Sequence, residues 1–400
     1  MLSSRKASNF EKFLFNLQCD TEIAIQLEHP KFVAEYLQRF IDNSFGLKLA
    51  YDGENMIARK HPYEPVKLPN TNSLADACNA IHSLRAPYSK SIGTIGYNDT
   101  HIALNLNHSV GDGLTLVNLM KKIQELDYKP YDLPLLPEPA TETFKEQIGT
   151  IDISFPYYNR DTLTQTKSKT GLKDLPETSE YHFTVNTKEI QPYDSTTQKC
   201  HGFTEYLWNG LTLSMCALNN QIGPIGVATC VDIRHLIPKS GPQHCNHFSN
   251  VFVSSPVSRS ITVGELGVRM RSDFNNRLKR GDVFAYLHPD KVMTGTIDGA
   301  NADLSQLPPI HIRRPITNCY VQTIMVANNS ISVLGESIIN EDTNTNMFTA
   351  RSRYSETYVS AIDMKKIMEG MKYFIMNVSN NTTVGDAVEM IRKYQSHIKE

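Results

Sequence analysis

The 400-residue chain has a single tryptophan, seven cysteines and a formal net charge of only −2. Each shortage excludes something. The cysteines, at 19, 78, 200, 216, 230, 245 and 319, include no Cys-x-x-Cys pair, and several sit in apolar segments. They read as buried free thiols, with no disulfide framework. His244, Cys245 and His247 crowd together, but no second pair of ligands stands at a usual spacing, so no metal is expected. The balanced charge gives no electrostatic reason to expect nucleic acid or an anionic membrane as partner. No run approaches the length of a transmembrane span, and the first dozen residues lack a signal peptide's apolar core, so a cytoplasmic protein without a transmembrane segment is expected. Gly-x-Ser-x-Gly is missing, which removes the nucleophile elbow of the serine hydrolases.

What the chain does have is length and alternating patterns. Four hundred residues fit two cores of roughly 150–200 residues each. In the first third, strand patterns at 22–28, 47–51, 56–60, 92–97 and 101–106 alternate with helical spacing over 31–43 and 74–84, the latter capped by Ser73. A layered α/β domain over 1–127 follows. From 128 to 178 the pattern dissolves into Pro-rich, polar sequence, which reads as a crossover. The second domain, 179–400, begins with a strand near 181–186 and a helix over 202–218 with Trp208 at the edge of its apolar stripe. Strands at 225–231 and 248–254 and a helix over 263–279 follow. Further strands are expected at 321–327, 330–337, 357–362 and 373–378, then a last helix opened by Thr383 and Asp386.

One stretch concentrates the chemistry. His108-Ser109-Val110-Gly111-Asp112-Gly113 follows a strand whose Ile102, Leu104 and Leu106 share a face, and precedes a helix with Leu116, Leu119, Met120 and Ile123 at helical spacing. A histidine on a tight turn between two packed elements is well placed for a general base, although a turn with a polar lining would look the same. Gly111 and Gly113 let the backbone turn and a substrate approach. An Asn-x-Ser triplet begins at Asn107; a glycan there would obstruct the turn, which agrees with a chain outside the secretory pathway. His101, one strand earlier, reads as an exposed strand-start residue.

His-x-x-x-Asp-Gly after a strand and before an amphipathic helix resembles the coenzyme A-dependent acyltransferase superfamily. That group includes alcohol acetyltransferases, plant hydroxyl acyltransferases, chloramphenicol acetyltransferase and the condensation domains of peptide synthetases. The resemblance implies an α/β (α+β) chain of two similar chloramphenicol-acetyltransferase-like sandwich domains, joined by a long linker, with an active-site tunnel between them. It implies His108 as general base acting directly on the acceptor, without an acyl-enzyme. It implies a structural Asp112 that points away from the site and pairs with an arginine. Arg234, in Val231-Asp232-Ile233-Arg234, is the candidate partner, the alternative being a solvated surface arginine. Ser249 and Asn250 are candidate contacts to substrate or pantetheine; a buried asparagine satisfying backbone groups is the other reading of Asn250.

Two departures stand out. Asn107 occupies the place where many relatives carry a first histidine, and the plant group's Asp-Phe-Gly-Trp-Gly element is absent, which points towards shorter alcohol acetyltransferase-like or polyketide-associated enzymes. The expected activity is transfer of an acyl group from acyl-coenzyme A, as co-substrate, to a small alcohol or amine. The alternatives are condensation on a carrier-tethered substrate and a catalytically retired binding protein. Free coenzyme A thioesters sufficing as donors would separate the first from the others. A monomer or a dimer is compatible with a site between two domains.

Overall fold

The computed structural model describes residues 3–132, 136–152, 162–166, 179–237, 246–288, 300–324, 330–356 and 358–399. The first sheet is built on His101–Asn107, a strand buried at every position. It pairs antiparallel with Asp20–Leu27 and with Gly93–Tyr97; Val66–Lys67 and Ile316–Ile324 form the two edges of the five-stranded sheet. Because successive strand side chains point to opposite faces, Ile102, Leu104 and Leu106 join Ile23, Ile25 and Leu27 on one apolar face. Helices Val33–Asn43 and Gly113–Ile123 cover it. On the other face Ala24 and Ala103 meet Cys78 and Ile81 of helix Leu74–Ser83. Further along, that face turns polar, with Asp20, Glu22, Asn105 and Asn107 all buried.

The second sheet runs Phe248–Ser255, Ile225–Asp232, Ala300–Gln306, Ser330–Asn340, Thr345–Tyr354, Ser179–Asn186 in neighbour order. Val227, Val251, Val253, Val333 and Phe348 point from it into a core shared with helices Phe203–Asn219, Val263–Arg280, Ala361–Asn377 and Val384–Gln395. The opposite face looks towards the first lobe: Leu334 and Ile338 pack against the first lobe's own core. Two sandwiches therefore meet along one seam. Trp208, read as the edge of a stripe, is buried at 1% exposure. Its helix lies between the sheet and its neighbours, with the Nε1–H donating to Thr229 Oγ1 at 3.3 Å and Phe274 at 5.6 Å.

Several elements differ from the sequence reading. Neither strand expected at 357–362 and 373–378 forms among the described residues: 358–360 turn into the N-cap Ser360, helix Ala361–Asn377 takes 361–362 and 373–377, Val378 is its C-cap, and 357 lies outside the described residues. Met364, Ile367, Met368, Met371, Phe374 and Ile375 recur at helical spacing, and all are buried; the β-branched and aromatic residues at its ends disguise that period. Strands Ala300–Gln306 and Thr345–Tyr354 have no counterpart in the sequence reading, because polar residues such as Asp303 and Arg351 interrupt them. Strand Ile316–Ile324 covers 321–324 of the expected 321–327; 325–327 lie outside the described residues. The 128–178 crossover includes helices Ala140–Thr143 and Lys145–Thr150, and its Gln165–Thr166 pairs antiparallel with Ala300–Gln306. Ile316–Ile324, from the second half of the chain, hydrogen-bonds into the first sheet beside Asp20–Leu27.

Candidate active site

The turn after His101–Asn107 is pinned from both sides. The His108 N–H donates to the Cys19 carbonyl at 2.7 Å, and Thr21 Oγ1 donates to the Gly111 carbonyl at 3.1 Å. Asn107, buried, donates from Nδ2 to the Cys19 carbonyl (3.0 Å) and to Asp20 Oδ1 (3.1 Å) while its Oδ1 accepts from the Ser109 N–H (3.0 Å). An asparagine at this place thus has both a donor and an acceptor in use. The glycines are there for room: a Cβ on Gly111 would come 3.1 Å from Leu106 Cδ1, and one on Gly113 would come 2.2 Å from Leu307 Cδ2.

His108 stands half-buried at the seam. Its ring lies 4.7 Å from that of Phe248 on the other lobe, tilted by 60°. Phe248 in turn meets Phe10 (5.8 Å) and Tyr286 (6.1 Å), so one side of the imidazole is aromatic. Burial holds its pKa below the ordinary imidazole value, and the negative charge of Asp112 and the residue's own carbonyl offset this only in part. Nδ1 is buried and finds no hydrogen-bond partner in another residue among those described. The ring is therefore neutral at pH 7 and able to accept a proton.

Asp112 caps helix Gly113–Ile123, accepting from the Thr115 N–H at 2.9 Å. Both of its oxygens accept from Arg234 Nη2, at 2.8 Å each, and Oδ2 also accepts from the His247 N–H at 2.9 Å. The same Nη2 reaches Thr115 Oγ1 (3.1 Å), and Arg234 Nη1 donates to Asp232 Oδ1 (2.8 Å). Burial alone would raise the carboxyl's pKa; the guanidinium and these hydrogen bonds outweigh it and hold Asp112 below the usual carboxylate range. The side chains are 3% and 9% exposed, so this ion pair crosses the seam largely out of water. With its oxygens so engaged, Asp112 fixes the turn and the approach of the second lobe.

The remaining expected residues separate. Ser249 is buried on the core side of its strand, its hydroxyl donating to the Val283 carbonyl at 2.5 Å. Its hydroxyl is thus engaged within its own lobe. Asn250, one residue on, faces the opposite way, and its Oδ1 is buried without a hydrogen-bond partner among the described residues. It is an acceptor left over at the seam. His101 is buried at 2% exposure beside Asn98 Oδ1 (3.2 Å), not exposed, because its strand is covered at both ends. His244 and Cys245 lie outside the described residues, and among the described ones no cluster of three His, Cys, Asp or Glu side chains could hold a metal.

Sequence reasoning missed Asp303. Its strand neighbours Ala302 and Leu304 face the core, so Asp303 faces the seam, where its charge is felt by Cys19 and Cys230. Burial pushes its carboxyl up to about 7. The positions that meet it, 19 and 230, are remote in the chain, so no local spacing marks the residue.

No protein-family model and no curated protein matches the chain. Solved structures do. Polyketide synthase associated protein 5 from Mycobacterium tuberculosis superposes with a TM-score of 0.63 at 12% identity, over 94% of this chain and 98% of that one. The first condensation domain of the CDA synthetase gives 0.64 at 10% identity, over 96% and 98%. The epimerization domain from the third module of tyrocidine synthetase B gives 0.62 at 9% identity, over 99% and 98%. The fold is the two-lobed α/β fold of these proteins.

Proposed function

We propose that this chain is an acyltransferase in which His108 removes the proton from an alcohol or amine as that group attacks a thioester carbonyl. The observation that carries the reading is a half-buried histidine on a turn locked by the Asp112–Arg234 pair, where two lobes meet. In the step, the acceptor oxygen or nitrogen bonds to the carbonyl carbon and its proton passes to the imidazole. The tetrahedral intermediate then expels the thiolate, which takes that proton back. The product is an ester or amide with a free thiol, and the histidine is regenerated. Asn250, with a partnerless acceptor at the seam, is suited to hold a donor group of a substrate.

Two sources of the thioester are compatible with the same chemistry. Acyl-coenzyme A as a diffusible donor is the first; an acyl group tethered to a carrier protein is the second, and the likeness to condensation domains supports it. Either calls for no metal. The test is release of thiol from acetyl to long-chain acyl-coenzyme A in the presence of mixed alcohols and amines, then from a carrier-loaded thioester. His108→Ala is expected to lower turnover by about 10²–10⁴-fold with an unchanged circular dichroism spectrum. Near-normal turnover in the folded variant would rule out the assignment of the base. A folded wild type that releases thiol from neither donor would favour a retired, ligand-binding member.

A further inference from the structure

At the other end of the seam the lobes part around a crevice of about 740 Å³, a size typical of ligand sites. Gln26 on its wall pairs with His101, at the opposite end of the same two strands from the Asp20–Asn107 pair. At ~3.3 Å per strand residue this puts the crevice roughly 20 Å from the His108 turn. It is a separate feature, and its chemistry is independent of the acyl-transfer reading.

One wall is a sheet edge. Thr317, Asn318, Cys319 and Tyr320 follow one another along the outermost strand of the first lobe, and Thr317 and Asn318 are exposed. The pairing with Asp20–Leu27 slips at Thr317, a bulge, and at 317 and 319 side chains hold backbone groups of this strand. Asn340 Nδ2 donates to the Thr317 carbonyl at 3.4 Å, and the Cys319 N–H donates to Asn318 Oδ1 at 2.9 Å. Two side-chain amides thus stand where the backbone of a neighbouring strand would stand.

The other wall excludes most other ligands. Arg351, on the floor, already serves Glu180 at 2.9 Å and Glu336 at 3.3 Å, which leaves no uncompensated cation for a phosphate or carboxylate. Its guanidinium also covers the ring of Tyr320 at 4.0 Å, removing the open aromatic platform a sugar would use. The rest of the lining alternates neutral hydrogen-bonding side chains, Asn72, Thr184, Thr345 and Thr349 among them, with apolar Ile312, Ile338 and Met347, and has His182 beside them. That surface suits a chain of alternating neutral donors and acceptors.

We propose that this crevice binds an extended, uncharged peptide segment that adds as a further strand to the open edge of the five-stranded sheet, its backbone amides displacing the side chains of Asn318 and Asn340. The test uses the full chain and acetyl-tetrathreonine N-methylamide as probe, with maltotetraose and inorganic phosphate as comparators, read by ligand-observed saturation-transfer NMR. The peptide is expected to take up saturation where the comparators do not. Thr345→Trp, at an exposed rim position, should fill the mouth and weaken peptide binding at least tenfold with an unchanged Tm. Asn318→Ala, which frees the Cys319 N–H, should tighten it several-fold. No transfer to the peptide at millimolar concentration, stronger transfer to maltotetraose, displacement by phosphate, equal binding by Thr345→Trp, or weaker binding by Asn318→Ala would each overturn the proposal.

Discussion

A histidine serves as a base only in its unprotonated form, and packing decides where in pH that form begins. Around His108 burial against Phe248 favours the neutral ring, so its folded pKa lies below that of a free imidazole. Thiol release under kcat/KM conditions should therefore hold level below the pH at which an ordinary histidine would lose it, and fall only further into acid. A limb at or above the ordinary imidazole value would count against burial as the controlling effect. Asp303 carries the opposite shift. Its folded carboxyl stays protonated to about 7 against 3.8 unfolded, so between those values the unfolded chain loses a proton that the folded chain keeps, and stability falls as pH rises. Asp303→Asn should raise Tm at pH 8 by a margin that shrinks to nothing near pH 4; an equal gain at both pH values would contradict it. His108 was legible because strand, turn and helix are compressed into one contiguous stretch. Asp303 was not, since its surroundings are assembled from both lobes.

Helix Gly113–Ile123 shows how an element carries the site. Asp112 begins it, Leu116, Leu119, Met120 and Ile123 seat it on the first sheet, and Gly113 lets Leu307 of the second half lie against its first turn. Gly113→Ala puts a methyl 2.2 Å from Leu307 Cδ2; chemical denaturation should show a loss of about 1–3 kcal/mol. Leu307→Ala in the same chain should recover much of it, which a purely conformational effect of losing glycine would not allow. This helix was readable from its period, as was Val384–Gln395 with its Thr383 cap. Ala361–Asn377 was not, because tyrosine, phenylalanine and isoleucine at its end suggest strand until a partner strand is sought. The polar faces of Ala300–Gln306 and Thr345–Tyr354 hid those strands for a related reason: what they face is another lobe, and a sequence does not say which polar surface will be covered.

At the scale of the whole molecule, two lobes are held by buried polar contacts as much as by apolar ones. The Asp112–Arg234 pair is one. Asp20 and Glu22, both fully buried, are another centre: Asn105 donates to both carboxylates, and Glu22 accepts from Gln322 at 2.5 Å, which accepts in turn from Arg353 of the second sheet at 2.8 Å. Removing one member of such a set leaves the others buried and unpaired, so Arg234→Ala should cost about 3–5 kcal/mol by urea unfolding at pH 7. Asp112 has a folded pKa below its unfolded one. Its contribution is full at neutral pH and is lost as pH falls from the ordinary carboxylate range through the depressed folded value. The penalty of Arg234→Ala should shrink across that acid range, and a penalty independent of pH would show that the ion pair is not its source. A layered α/β first third was legible from the alternating patterns, and two similar sandwiches were what the resemblance of the His108 motif implied; that Ile316–Ile324 would leave its own half and join the other was not legible, because register between distant segments has no local signature.

That exchanged strand bears on how the chain can be divided. A fragment ending before position 310 would hold the His108 turn and the helix behind it, yet would present Asp20–Leu27 as a naked border with a row of unused amides and carbonyls. Such a piece is a template for recruiting strands from its own copies. Supplied separately, a segment carrying Ile316–Ile324 should instead be drawn to that border by complementation, making the crossing strand a natural point at which a split version of the protein would reassemble.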